Sequence, residues 1–331
     1  MPDVTTTSEG ASKVAIVGAG QVGTTLAYAL LLSGVASDVV LVNRDREKAE
    51  AEAADLNHAG PFTPAGRARA GDYVDIKGAF VTVLTAGASD EDSLPEGDAP
   101  NGPLDVGRYN AEIFREIVPR VVSHNPSGII LIATNPVDVL VRLALDISGL
   151  PSGRVLGSGT LVDSARLTFF LSERFGVDER SIEALILGEH GPGAVPIWSA
   201  CRVGAMPMDT FAHANDLPFN GDEFSHLFAQ TMTTASEVAR VKGTTYYGVA
   251  TAMLKIIEAI ARNANIVLPI VTLPDEDTAA FYESGEVALS LPCVVNRQGV
   301  RRILKMPLHD TESALLRASA HNLEKAWQAI S

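Results

Sequence analysis

From Lys13 onward the chain alternates short apolar runs with segments of helical spacing. Residues 14–17 form a β-branched run, and 22–32 continue with apolar positions at helical spacing. A second run at 39–42 precedes a charged, Ala-rich helix at 47–56. Two further runs, 80–85 and 129–134, flank a helix at 110–123, and 155–158 reads as the last strand of this half. Continuous apolar strands, each followed by a helix, predict a parallel sheet covered on both faces. Beyond Gly159 the rhythm changes. A helix over 161–175 leads into an apolar run at 182–187 and a Gly/Pro-rich loop. Residues 224–262 are helical with a break near Gly243, 287–295 and 299–305 read as strands, and 312–330 as a terminal helix. The predicted class is α/β, a Rossmann doubly wound parallel sheet over 13–158 followed by an α+β domain over 159–331, with residues 1–12 as a loose polar tail.

Composition narrows the function more than the fold. The 331 residues carry 40 acids against 26 bases, a formal charge of −14, which argues against nucleic acid or an anionic membrane as partner. A hydrophobic content of 46% excludes a disordered chain. There is no apolar stretch long enough to span a bilayer and no signal-like start. Cys201 and Cys293 have no metal-ligand spacing and are too few for a disulfide framework; they read as buried thiols of a cytoplasmic protein, and no metal site is expected. One segment concentrates charge: 89–103 holds five acids, three prolines and no Lys or Arg, directly after a predicted strand.

Gly18-Ala-Gly20-Gln21-Val22-Gly23 lies between the first strand and the first helix, the context in which a G-x-G-x-x-G motif binds a dinucleotide. Gly18 permits the turn, Gly20 lets backbone approach a pyrophosphate, Gly23 lets helix meet strand, and the helix N-terminus faces the phosphates. An acid for the ribose is expected about twenty residues later. That position is Asn43, followed by Arg44. An amide does not repel a 2′-phosphate and a guanidinium can grip one, so the cofactor is NADP or NAD with a lean to NADPH.

His190 stands in Gly188-Glu-His-Gly191, Asp163 and Arg166 are three apart on one helix face, and Asn135 ends a strand in Asn135-Pro-Val-Asp138. Together with Asp55-Leu-Asn-His58, Thr85-Ala86-Gly87, Gly157-Ser-Gly-Thr160, Val195-Pro-Ile-Trp-Ser199, Lys242-Gly-Thr-Thr245 and Pro292-Cys-Val-Val-Asn296, these motifs make the chain resemble the L-lactate/malate dehydrogenase family, nearest its bacterial L-lactate dehydrogenases, from Lys13 to Ile330. The resemblance implies hydride transfer between a nicotinamide and a small 2-oxo or 2-hydroxy carboxylate. It implies His190 as proton donor and acceptor, Asp163 as its orienting partner, Arg166 as the substrate-carboxylate clamp, and Asn135 and Thr245 as pocket residues. It adds Thr85, Ala86, Gly87 and Asn135 to the cofactor contacts, and a homodimer or tetramer.

The chain departs from the family in the segment that closes over substrate. At the family's position for a carbonyl-polarising Arg stands Pro103; Arg108 is the nearest cation, at a place where a helix face is already committed. Where lactate enzymes have Gln and malate enzymes Arg stands Asp90, which would repel a second substrate carboxylate. Plain pyruvate and oxaloacetate are therefore disfavoured. A 2-oxo acid bearing a cation that pairs with Asp90 fits, as does a protonated imine that needs no polarising Arg. Lactate chemistry with a compensated loop and a catalytically silent dinucleotide-binding relative are the remaining readings. Thr168 and Glu183 replace the family's phosphate-binding cations, so activation by fructose 1,6-bisphosphate is not expected.

Overall fold

A computed structural model describes residues 13–64, 66–88 and 103–330. Ten of its strands form one mixed sheet in the order β3-β2-β1-β4-β5-β6-β12-β13-β8-β9, with β14 pairing on β13. The first six are β1 (Lys13–Val17), β2 (Asp38–Val42), β3 (Arg67–Gly71), β4 (Val81–Leu84), β5 (Ile129–Ile132) and β6 (Val155–Gly157), all parallel. Their connections carry helices α1 (Gln21–Ser33), α2 (Arg46–His58), α3 (Pro103–His124) and α4 (Val137–Ser148). This 3-2-1-4-5-6 order is the doubly wound arrangement predicted from the alternating pattern. Its order reverses between β1 and β4, where ligands bind beyond the carboxyl ends of strands. Burial on both faces explains the text of these strands: Val14, Ile16, Val39, Leu41, Val81 and Leu131 fill one core layer, while Ala15, Val40, Leu84 and Ile130 fill the other. Phe114 on α3 is fully buried in the second layer; truncating it to Ala would cost about 3–5 kcal/mol.

Past α5 (Leu161–Phe175) come β7 (Ile182–Glu183), β8 (Ile186–Gly188), β9 (Ala194–Pro196), β10 (Arg202–Val203), β11 (Met206–Pro207) and α6 (Met208–Ala214). Then follow α7 (Gly221–Lys242), α8 (Tyr247–Ala261), β12 (Ile266–Thr272), α9 (Glu276–Tyr282), β13 (Leu289–Asn296), β14 (Gly299–Ile303) and α10 (Asp310–Ile330). The structure refines two predicted elements. The single run expected over 182–187 is two strands in different sheets: β7 joins β10 and β11, while β8 pairs with β13 and β9 in the main sheet. The helix expected from 110 begins at Pro103. Cys201 and Cys293 are buried free thiols, as expected; burial pushes Cys201 up to about 11 and Cys293 further. Among the described residues no helix is long and apolar enough to cross a membrane, and no cluster of His, Cys, Asp and Glu could hold a metal ion.

Candidate active site

The glycine turn sits at the β1–β4 switch point. Gly18 has φ +117°, and a Cβ there would lie 2.6 Å from the Thr85 hydroxyl and 2.7 Å from the Ala86 nitrogen. A Cβ on Gly23 would lie 2.1 Å from the Gly18 carbonyl oxygen. The turn is thus wedged against β4, and Thr85 fastens it by donating its hydroxyl to the Gly18 carbonyl at 2.9 Å. Gly20 differs: a Cβ there meets no protein atom within 4 Å. It is the N-cap of α1, where no side chain caps the helix and no acid occupies the first turn. Backbone N–H groups with a partial positive charge and an uncrowded approach over Gly20 fit a dinucleotide pyrophosphate. Gln21, Val22 and Gly23 supply that first turn.

Asn43 and Arg44 part company here. The Asn43 side chain accepts from the Ala19 N–H at 3.2 Å and donates to the Asp45 carbonyl at 2.9 Å, so the amide braces the glycine turn. Arg44 is exposed. On the neighbouring strand end, Thr134 donates to the Ala86 carbonyl at 2.9 Å. Asn110, fully buried on α3, joins Ala88 to the Asn135 carbonyl: it accepts from Ala88 N–H at 2.8 Å and donates to the Ala88 and Asn135 carbonyls at 2.9 and 2.7 Å. These bonds fix the strand ends beside Gly87.

The candidate proton-transfer cluster is drawn from α5 and the turn after β8, and is tied to α4 and α10. His190 Nδ1 lies 2.5 Å from Asp163 Oδ2, and Arg166 donates to Asp163 Oδ1 at 2.6 Å. Asp163 is 1% exposed, so the carboxylate that both partners share is shielded from bulk water. The first turn of α5 is stitched to the strand that leads to His190. The Thr160 hydroxyl donates to the Ile186 carbonyl at 2.5 Å, and Ser164 Oγ accepts from Ile186 N–H at 2.9 Å. The Gly188–Gly191 turn is held at three further points. Glu189 N–H donates to Ser319 at 2.9 Å, Gly193 N–H donates to the Glu189 carboxylate at 2.9 Å, and His190 N–H donates to Asp138 Oδ2 at 3.0 Å. Ser319 and Asp138 escaped sequence reasoning as site residues, because neither stands near His190 in the chain.

Electrostatics follow from this geometry. Burial works against the His190 imidazolium, but the charge and hydrogen bond of Asp163, with the charge of Asp138, outweigh it and hold the ring above its usual value; Arg166 opposes them. Burial pushes Asp138 up to about 7, with the charge and N–H of His190 pulling the other way. Glu189 is also raised by burial. Arg166 and Thr245 line one cavity of about 770 Å³ between α5, α7 and α8, shared with Phe169, Lys242, Tyr246 and Lys255. Asn135 stands apart from that cavity, at the end of β5. Arg108 turns its Nε to the Ala329 carbonyl in the last turn of α10 at 3.3 Å. Asp90 lies outside the described residues.

Two family models and several known proteins match the chain. The family model for the lactate/malate dehydrogenase NAD binding domain matches residues 12–157, and that for the lactate/malate dehydrogenase alpha/beta C-terminal domain matches 160–330. An L-lactate dehydrogenase of Thermoanaerobacter sp. (strain X514) is 38% identical, with 96% of this chain and 99% of that protein covered. One from Synechococcus sp. (strain JA-3-3Ab) is 39% identical at the same coverage. Among solved structures, a lactate dehydrogenase from a Medee basin deep-sea metagenome library is 37% identical, with a TM-score of 0.89 over 97% of this chain and 99% of that one. The ligand-bound minor L-lactate dehydrogenase of Enterococcus mundtii is 32% identical, with the same TM-score and coverage.

Proposed function

The chain belongs to the lactate/malate dehydrogenase family, and from that premise we propose that it is a nicotinamide-dependent reductase of a small 2-oxo acid other than plain pyruvate or oxaloacetate. The observation that carries the reading is the His190–Asp163–Arg166 cluster, in which one buried carboxylate orients both a proton carrier and an anion clamp. Asp163 occupies the Nδ1 side of the ring, so Nε2 is the nitrogen left to give a proton to the substrate oxygen, or to take one in the reverse direction. Arg166 commits NH1 to Asp163 and keeps its other donors for a substrate carboxylate, whose planar oxygens match the guanidinium fork. Thr245 lines the pocket beside it, and Asn135 borders the cofactor side. When bound, the nicotinamide supplies or takes the hydride. The family's cofactor is NAD; Asn43 with exposed Arg44 supports use of NADPH as well, tested by comparing KM for the two cofactors in Arg44→Ala.

Substrate choice rests on two sequence positions, Pro103 in place of the polarising Arg and Asp90 at the discriminating position. A carboxylate at one end for Arg166 and a cation at the other for Asp90 satisfy both. The test follows NADH and NADPH absorbance across 2-oxo acids with and without a terminal amine. Preference for cationic substrates that disappears in Asp90→Gln is the expected result; indifference to that substitution overturns the substrate assignment. In His190→Asn, turnover falls ~10²–10⁴-fold with cofactor binding retained; full activity in that variant would remove His190 as proton donor. The relatives' likeness also supports assembly as a dimer or tetramer, read directly by sedimentation.

A further inference from the structure

Asp138 poses a problem that packing does not solve. It lies in the first turn of α4 and is 2% exposed. Its Oδ2 accepts the His190 N–H at 3.0 Å, while its Oδ1 is buried without a hydrogen-bond partner. A neutral main-chain N–H needs only an acceptor oxygen, which an Asn would provide without burying a charge. A buried carboxylate with one oxygen unmatched is an expensive way to make that bond. The charge itself therefore calls for an explanation, and the group it acts on is His190.

The surroundings of the pair are as follows. From α5, Asp163 favours the imidazolium and Arg166 opposes it. Next to His190 in the chain, Glu189 adds negative charge that disfavours ionisation of Asp138. On α4 itself Arg142 is one turn on, engaged with Asp146 and with the Glu286 carbonyl. Asp138, Arg142 and Glu286 also line a small cavity of about 10 Å³. Within this set, Asp163 and Asp138 favour protonated His190 and also hydrogen-bond it, Asp163 at the ring and Asp138 at the main chain, while Glu189 is coupled to it by charge.

We propose that Asp138 is a positioning residue for proton transfer at His190, anchoring its main chain from α4 while its carboxylate, once ionised, favours the protonated imidazole. α4 begins directly after Asn135 and Pro136, so one helix start carries both a cofactor-side pocket residue and the second carboxylate of the proton donor. The inference deepens the proposed reaction and rests on His190 being its proton donor.

The decisive variant is Asp138→Asn in the full-length protein. It keeps an acceptor for the His190 N–H and removes the charge. The His190 ring titration is read by NMR in the free enzyme, its signal identified by its loss in His190→Asn, a readout that needs no substrate. The midpoint is expected to move down by ~0.5–1 pH unit. The alkaline limb of kcat/KM for 2-oxo acid reduction moves with it, so that above the midpoint a one-unit shift lowers the rate about tenfold. KM for the cofactor stays at the parental value. Asp138→Leu, which also removes the acceptor, lowers kcat at every pH. A parental titration in Asp138→Asn overturns the proposal, since Asp138 would then serve packing alone. A shifted titration in a protein that reduces no 2-oxo acid would uphold the positioning role and strike down the substrate reading instead.

Discussion

The glycine turn and the His190 cluster are the two halves of the candidate site, yet they are built by opposite means. The turn works by omission. Gly18 and Gly23 carry no side chain because Thr85, Ala86 and the Gly18 carbonyl occupy the space, and Gly20 carries none although no protein atom is near. Its determinants lie within six consecutive residues. The His190 cluster works by convergence. Asp138 from α4, Asp163 and Arg166 from α5, and Ser319 from α10 meet a turn that follows β8. A shape can be written locally, whereas a stack of mutually compensating charges needs distant segments brought together by the sheet.

The comparison breaks most sharply at Asp163. Asp163→Asn leaves the shape but removes the charge shared by His190 and Arg166, and leaves Arg166 half-buried without its carboxylate. Turnover is expected to fall ~10³–10⁴-fold, as when the orienting carboxylate of a base is neutralised. The alkaline limb for reduction should also move to lower pH, because the largest charge favouring the imidazolium is gone. Cofactor affinity, measured by fluorescence, should be unchanged. A loss of cofactor affinity of similar size would mean that the two regions are not independent.

The turn is tested by two alanines that should behave differently. Gly18→Ala forces a side chain to φ +117° against Thr85, a strain of ~1–3 kcal/mol. At about 1.4 kcal/mol per decade this corresponds to roughly 5–150-fold in NADH affinity if the turn gives way only locally, with a lowered Tm. Gly20→Ala meets no protein atom, so its Tm should equal the parent's while NADH affinity falls. Equal thermal losses in both would show that Gly20 serves the protein's own packing and not an approaching phosphate.

The same division decides how much could be read from the text. The parallel half was legible because each strand is apolar throughout and each glycine of the turn stands in sequence order. β3 went unseen: Arg67–Gly71 alternates Arg and Ala, and it is the edge strand, where polar text is tolerated. β12 was hidden by Pro269 in its middle, which normally argues against a strand. In the structure Pro269 faces Pro292 of β13 across an antiparallel ladder, so both missing N–H groups fall on one rung. α4 went unassigned even though Asp138, Arg142 and Asp146 at i, i+4 and i+8 mark one polar face on a helix that is otherwise apolar and buried on most sides. His190, Asp163 and Arg166 stood out through their motifs. Asp138 closes the Asn135–Asp138 motif, but nothing local joins it to His190, 52 residues away.

The smallest effect expected concerns stability, and its sign follows from the titrations. Asp138 is pushed up to about 7 from an ordinary carboxylate value near 4, so between about pH 4 and 7 the folded chain keeps a proton that the unfolded chain has released. Folding stability must then fall as pH rises through that window. His190 acts in the same direction: its folded value lies above the ordinary 6.5, so its contribution is complete below that and is lost as pH passes the folded value. Asp75 and Asp275 are depressed, Asp75 by the Asp72 N–H and Asp275 by its bonds to Thr278, and their contributions are lost only on acidification below the ordinary range. Tm should therefore decline from about pH 5 to 8 in the parent. Asp138→Asn should flatten that decline, because the Asp138 carboxyl no longer ionises in that window. Gly18→Ala should lower the whole curve without altering its slope, since the turn contains no titratable side chain. Parallel curves for Asp138→Asn and the parent would mean that the buried carboxyl is not where the pH dependence resides.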